Sequence, residues 1–365
     1  MLKTVPLVLG GVEKLHEEVV YFMAMIHDKK KWSDSFFHAE FYEIVVKESP
    51  KLYKNFKNFF REFRKLPTER KDELLNEFEA QNKILERCND HIKVTKLWMG
   101  DEFKKFAVAT RMLFKSMYEE TLNSKCFGDF AGETIDEQYA KYRHKCESPM
   151  CPFCGLEDYV DLHPDLHVRD SYDHYLHRAD YPFAAVNFRN LFPMCSTCNS
   201  GTKKANDILF EADKVTRRRA PYPPVDTFFL KIEINDALGP DPDVNVILDE
   251  VADEFKEEKF KTWLSVFSIK ARYAGRIKKK KQDWLFDALA KIQDGKLDTD
   301  LEKKLEEARD EAIKSLEENL QSALHLKAPF LAYCALNVAS LTAFLHEEPK
   351  FKKYIQNRAG SLLQA

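Results

Sequence analysis

Apolar residues recur every three or four positions through the first 145 residues, in EEVVYFMAMIHDKKKW, FFHAEFYEIVVKE, ERKDELLNEFEAQNKILERC and DEFKKFAVATRMLFKSMYEETL. That spacing lays one apolar stripe along a helix and predicts a helical region over 1–145. LYKNFKNFFREF adds a dense aromatic run with Lys and Arg between the rings. Helical periodicity predicts that its Phe face packs in the core while the lysines solvate the other side. The alternative is stacking of exposed rings on single-stranded nucleic acid.

From Cys146 to about 225 the texture changes: the helical period vanishes and Cys, His, Asp, Pro, Asn and Gly become frequent. LHVRDSYDHYL and NLFPMC read as strands separated by loops. A compact chemical module over 146–225 is therefore expected between two scaffolds. In the last region, 226–365, DTFFLKIEI alternates like a strand, and VNVILDE can pair with it across LGPDPD. Helices return after Asp253, including a long charged one and a final apolar one, APFLAYCALNVASLTAFLHEE, expected to be buried. The predicted class is α+β and mostly helical, with a small module inserted between helical N- and C-terminal regions.

The composition of the 365 residues, 44% hydrophobic and 32% charged, suits a globular chain. The net charge of -3 provides no global positive field, so a polyanion partner would need a local basic surface. No run of about 18 apolar residues exists, and the start lacks the pattern of a signal peptide, so a cytoplasmic location is expected.

Four of the eight cysteines form two CxxC pairs, CPFC (151–154) and CSTC (195–198), separated by 40 residues. Each pair turns two thiolates toward one point, and two pairs complete a tetrahedral four-sulfur site. Soft thiolates in that array favour zinc, and a closed site of this kind is structural. Cys88, Cys126, Cys146 and Cys334 are scattered and read as ordinary buried cysteines, with Cys146 close enough to the first pair to be an additional ligand.

Between and after the pairs runs DHYLHRADYPFAAVNFRNLFPMCSTCNSGTKK: Asp-His, a loop containing Pro, Asn-Leu before the second CxxC, then Asn and Lys. This resembles the HNH endonuclease family, in the subset whose ββα-metal active site is clasped by a four-cysteine zinc ribbon. The resemblance covers roughly residues 148–206. It implies that His174 is the general base and that the Asp173 carboxylate binds a catalytic divalent metal. It implies that Asn190 ties down the long loop through backbone hydrogen bonds, and that Asn199 is a second metal ligand. Lys203 or Lys204 would face a phosphate. His177 departs from the pattern, standing where many members have Pro. The chemistry suits these roles: a neutral imidazole can take a proton from water near pH 7, and oxygen ligands suit Mg²⁺ or Mn²⁺.

The site implies nucleic acid, most simply double-stranded DNA held through its backbone with weak sequence specificity. Over 182–220, Lys and Arg outnumber Asp and Glu by seven to three, which makes Arg189, Arg217 and Arg218 candidates for phosphate contact. Arg276 with the lysines at 278–281 is a second candidate, or a solvated helix face. His163 and His167 resemble a ligand pair, although their spacing aligns them only on a helix. An HNH module within helical flanks also resembles nuclease components of bacterial anti-phage defence, which implies a partner ATPase or sensor. A restriction or homing-type enzyme would add a DNA-reading appendage, and none is evident. A zinc-ribbon adaptor without catalysis is the competing reading from another class.

Overall fold

The structure, a computed structural model, describes residues 4–90, 103–146, 148–160, 169–204, 206–250, 253–289, 297–318, 324–349 and 351. The N-terminal region is helical as its periodicity predicts. Its longer elements are α1 (Lys14–Ile26), α2 (Pro50–Phe63), α3 (Thr68–Asn82), α4 (Ile84–Asn89), α5 (Lys104–Glu119), α6 (Lys125–Ala131) and α7 (Ile135–Lys145). Pro50 opens α2, where its missing N–H costs no hydrogen bond. Phe56, Phe59, Phe60 and Phe63 of α2 are buried, and Lys51, Lys54, Lys57 and Arg61 stay outside. Phe59 and Phe63 meet Phe106 of α5 at ring separations of 5.1 and 6.2 Å. The aromatic run is therefore core and offers no stacking platform. Gly132, at φ 69°, closes α6 in the left-handed region, and Thr134 and Glu137 cap α7 reciprocally.

The central module contributes two three-residue strands, β1 (Tyr172–His174) and β2 (Leu191–Pro193). They pair antiparallel with Asp173 opposite Phe192 and His174 opposite Leu191. These strands are shorter than the expected segments, because the chain leaves the ladder at once on either side. A wide helical turn, Thr197–Lys203, follows β2 directly, with the Lys204 N–H reaching back to Asn199 O at 2.9 Å. Such five-residue turns are rare and concentrate at functional sites.

In the last region β3 (Leu230–Asp236) and β4 (Asp243–Leu248) form the hairpin their alternation predicts. Then come α8 (Glu254–Val266), α9 (Ile269–Leu289), α10 (Leu297–Glu318), α11 (Leu324–Leu336) and α12 (Val338–Glu347). The Asp253 side chain caps α8 by accepting from Lys256 N at 2.8 Å. The last two helices are bent by 100° at their junction, and among the described residues no single helix is long and apolar enough to cross a membrane.

One apolar core runs through all three regions, from Val5 to Phe351. Phe183 of the module lies 5.6 Å from both Phe78 of α3 and Phe114 of α5. The result is an α+β, mostly helical chain whose small strand pair is framed by helices on both sides.

Candidate active site and metal centre

Cys151, Cys154, Cys195 and Cys198 are all buried, and their sulfurs lie within 4.8 Å of one another. The CPFC turn is closed by Gly155 N donating to Cys151 O at 2.8 Å, with Gly155 at φ 64°. The CSTC turn is closed by Cys198 N donating to Cys195 Sγ at 3.4 Å. Burial pushes the Cys151 and Cys198 thiols up, while hydrogen bonds from the neighbouring thiols hold Cys154 well below its ordinary value. Four sulfurs converging from two tight turns can hold a metal ion, and the donor set suits zinc.

The C-terminal helices grip this centre. Arg272 of α9 donates to Cys198 Sγ at 3.3 Å, and the Tyr273 hydroxyl donates to Cys154 O at 3.1 Å. From α8, Trp263 Nε1 donates to Phe153 O at 2.9 Å. The cysteine centre does not stand apart from the apolar core. Phe153, Tyr175, Phe183, Val186 and Phe192 are buried in the common core.

At the end of β1, Asp173 and His174 are both buried. Lys203 Nζ lies 2.7 Å from Asp173 Oδ2 and donates to His174 O at 2.7 Å. Burial raises the Asp173 carboxyl from its usual range, and the Lys203 ammonium pulls it back. His174 Nε2 faces Ala185 O at 3.0 Å. A carbonyl only accepts, so that nitrogen carries the proton and Nδ1 is left as the acceptor. Nδ1 has no hydrogen-bond partner among the described residues. Burial, aided by the nearby Arg178 charge, pushes His174 down to about 3, so the ring is neutral at physiological pH. The Tyr118 ring of α5 meets the His174 ring edge-on at 4.2 Å, and its hydroxyl donates to Tyr172 O at 2.7 Å.

Asn190 is fully buried and spans the loop between the strands. Its Nδ2 donates to Leu176 O at 3.1 Å and Ala184 O at 3.2 Å, and its Oδ1 accepts from Leu176 N at 2.7 Å. Asn199 is half-buried in the wide turn, and its side chain makes no hydrogen bond among the described residues. His177 Nδ1 pairs with Asp180 Oδ2 at 3.3 Å within the loop. His163 and His167 lie outside the described residues.

The basic residues differ most from expectation. Lys203 is wholly buried against Asp173 and presents nothing to a phosphate at the surface. Lys204 is exposed at φ 46°, a strained backbone for a non-glycine residue. Arg189 pairs with Glu13 at 2.5 Å. Arg217 donates to Leu209 O at 2.9 Å and to Arg87 O and Arg218 O. Buried Arg218 donates to Ile208 O, Asp207 O and Glu211. Arg189 and Arg217 brace the module against the N-terminal region, and Arg218 ties the module to itself, because a planar fork suits clustered carbonyls. Arg276 donates to Leu156 O and Glu157, and Lys281 to Leu238 O and Gly239 O, so much of that run is also structural.

Sequence reasoning missed Tyr118, Arg272 and the Ala185 carbonyl. Only the pattern of buried positions on α5 and α9 could have hinted that those helices face the site.

No family model matches the chain, and no solved structure matches it. A search of curated proteins found Protein ea31 of Escherichia phage lambda, 31% identical over 120 residues. The match spans about a third of each protein: 33% of this chain and 34% of the phage protein.

Proposed function

We propose that this chain is a metal-dependent HNH endonuclease that hydrolyses phosphodiester bonds of DNA in the cytoplasm, as an effector of bacterial anti-phage defence beside an ATPase or sensor. The observation that supports it best is the setting of His174. Its Nε2–H is committed to Ala185 O and its Nδ1 is left as proton acceptor, one residue from a buried carboxylate. In this reading Nδ1 takes a proton from the attacking water. Asp173 and Asn199 would hold Mg²⁺ or Mn²⁺, which supplies positive charge where the phosphate and the leaving oxygen gain negative charge. Tyr118 and Ala185 orient the imidazole, and Asn190 fixes the loop that carries Ala185. Zinc on the four cysteines would set the position of the wide turn, and with it Asn199.

The Lys203–Asp173 ion pair favours a second reading, a zinc-ribbon adaptor without catalysis, because the chain's own cation already neutralises that carboxylate. One experiment separates them. Wild-type and His174→Ala proteins, both checked for zinc, are incubated with plasmid DNA and Mg²⁺ or Mn²⁺. The nuclease reading expects cleavage by the wild type and a loss of about 10²–10⁴-fold in the variant. Equal behaviour of the two proteins across both metals would overturn it.

A further inference from the structure

Arg217 and Arg218 are committed to carbonyls and a carboxylate of the protein itself, and Arg189 to Glu13, so the backbone-binding surface is sought elsewhere. Helix α5 presents Lys104, Lys105, Arg111 and Lys115 on its exposed face, while Phe106, Leu113 and Met117 face the core. This basic face ends at Tyr118, the residue whose ring lies against His174. Arg178, from the loop after β1, places its guanidinium 5.6 Å from the centre of the Tyr118 ring. Between the cations lies one carboxylate. Glu119 Oε1 is 2.8 Å from Arg178 Nη2, and its Oε2 is 3.8 Å from Lys115 Nζ. A carboxylate thus already sits between a half-exposed and an exposed cation, one of them against the ring that meets the imidazole.

We propose that the exposed face of α5, with Arg178 at its end, is the track for a nucleic-acid backbone, and that Glu119 holds the terminal phosphate position until substrate displaces it. This rests on the nuclease reading and names the substrate surface of the same site. At 1.5 Å per residue the helix is about 24 Å long, an axial length over which one strand of a duplex carries about seven phosphates, of which a straight helix meets the few that face it. The contacts are to phosphate alone, which fits backbone-directed binding without base readout.

The test measures binding of a short DNA duplex across a salt series in the His174→Ala protein, with wild-type cleavage run in parallel. Adding Lys105→Gln, Lys115→Gln and Arg178→Gln together should lower the slope of log affinity against log salt by about two to three. Melting temperature and zinc content, checked on each variant, should be unchanged. Glu119→Gln alone should tighten binding several-fold. As a control, Lys29→Gln, Lys30→Gln and Lys31→Gln together, on an exposed run elsewhere, should leave the slope unaltered. If the wild type cleaves but the α5 variant keeps the parent slope, or the control lowers it equally, the track is wrong and the nuclease reading stands. If the parent binds no duplex and the wild type cuts nothing, both fall.

Discussion

Lys203 Nζ lies 2.7 Å from Asp173 Oδ2, with the ammonium fully buried and the carboxylate nearly so. The sequence distance of 30 residues is bridged at the end of the wide turn Thr197–Lys203, where Lys203 also donates to His174 O at the end of β1. The pair neutralises a carboxylate whose burial alone would push it toward the protonated form. Removing one partner of a buried pair leaves the other charge uncompensated, which typically costs about 3–5 kcal/mol. Lys203→Met should therefore destabilise the chain by that order, and Asp173→Asn in the same protein should recover part of the loss. Urea denaturation of the two singles and the double measures this. Additive losses would show that the two charges do not compensate each other.

Asn190→Ala should loosen the loop between the strands. Three hydrogen bonds to buried backbone groups disappear, and each orphaned group costs about 1–3 kcal/mol. Limited proteolysis should find new cleavage between residues 175 and 189, with a lowered melting temperature. Protection equal to wild type would mean that the loop is held by its apolar contacts alone.

Arg272→Gln removes the cationic donor to Cys198 Sγ and leaves all four sulfurs in place. Outer partners of metal ligands commonly contribute about 10–100-fold in affinity. Competition with a chromophoric chelator should show zinc leaving the variant at correspondingly lower chelator concentration. Unchanged retention would reduce Arg272 to a packing residue.

His16 of α1 makes the chain sensitive to acid. Burial, with the Arg189 charge as the smaller cause, pushes it down to about 4, and its Nδ1 has no partner among the described residues. The unfolded chain has an ordinary histidine near 6.5, so the unfolded state binds the proton more readily. The stability His16 confers is complete above about pH 6.5 and is lost as pH falls through about 4. Between pH 7.5 and 4.5 the wild type should lose about 2–3 kcal/mol more than His16→Gln, by urea denaturation at both values. Parallel losses in the two proteins would contradict the assignment.

What could be read in the sequence follows the range of the forces involved. The two CxxC turns are local, so their spacing alone placed Cys151 and Cys154 opposite Cys195 and Cys198. Helical period placed the Phe face of α2 in the core for the same reason. Charge carries no such information, since a run of Arg and Lys does not say what stands opposite. Arg217 met a carbonyl of a distant segment, Arg218 met a carboxylate and carbonyls earlier in its own module, and Lys203 met a carboxylate 30 residues before it. Tyr118 reaches His174 over 56 residues of chain, through a contact that exists only once the helices pack.

The grip of α8 and α9 on the cysteine centre also orders events during synthesis. All four sulfurs have been made once Cys198 leaves the ribosome, yet Trp263, Arg272 and Tyr273, which fix the surrounding turns, come more than 60 residues later. An ion taken up by the nascent chain would therefore be held without these contacts until the C-terminal helices arrive. A chain that stopped before α8 and α9 would then give up such an ion to a chelator more readily, so retention of metal would report whether those two helices had docked.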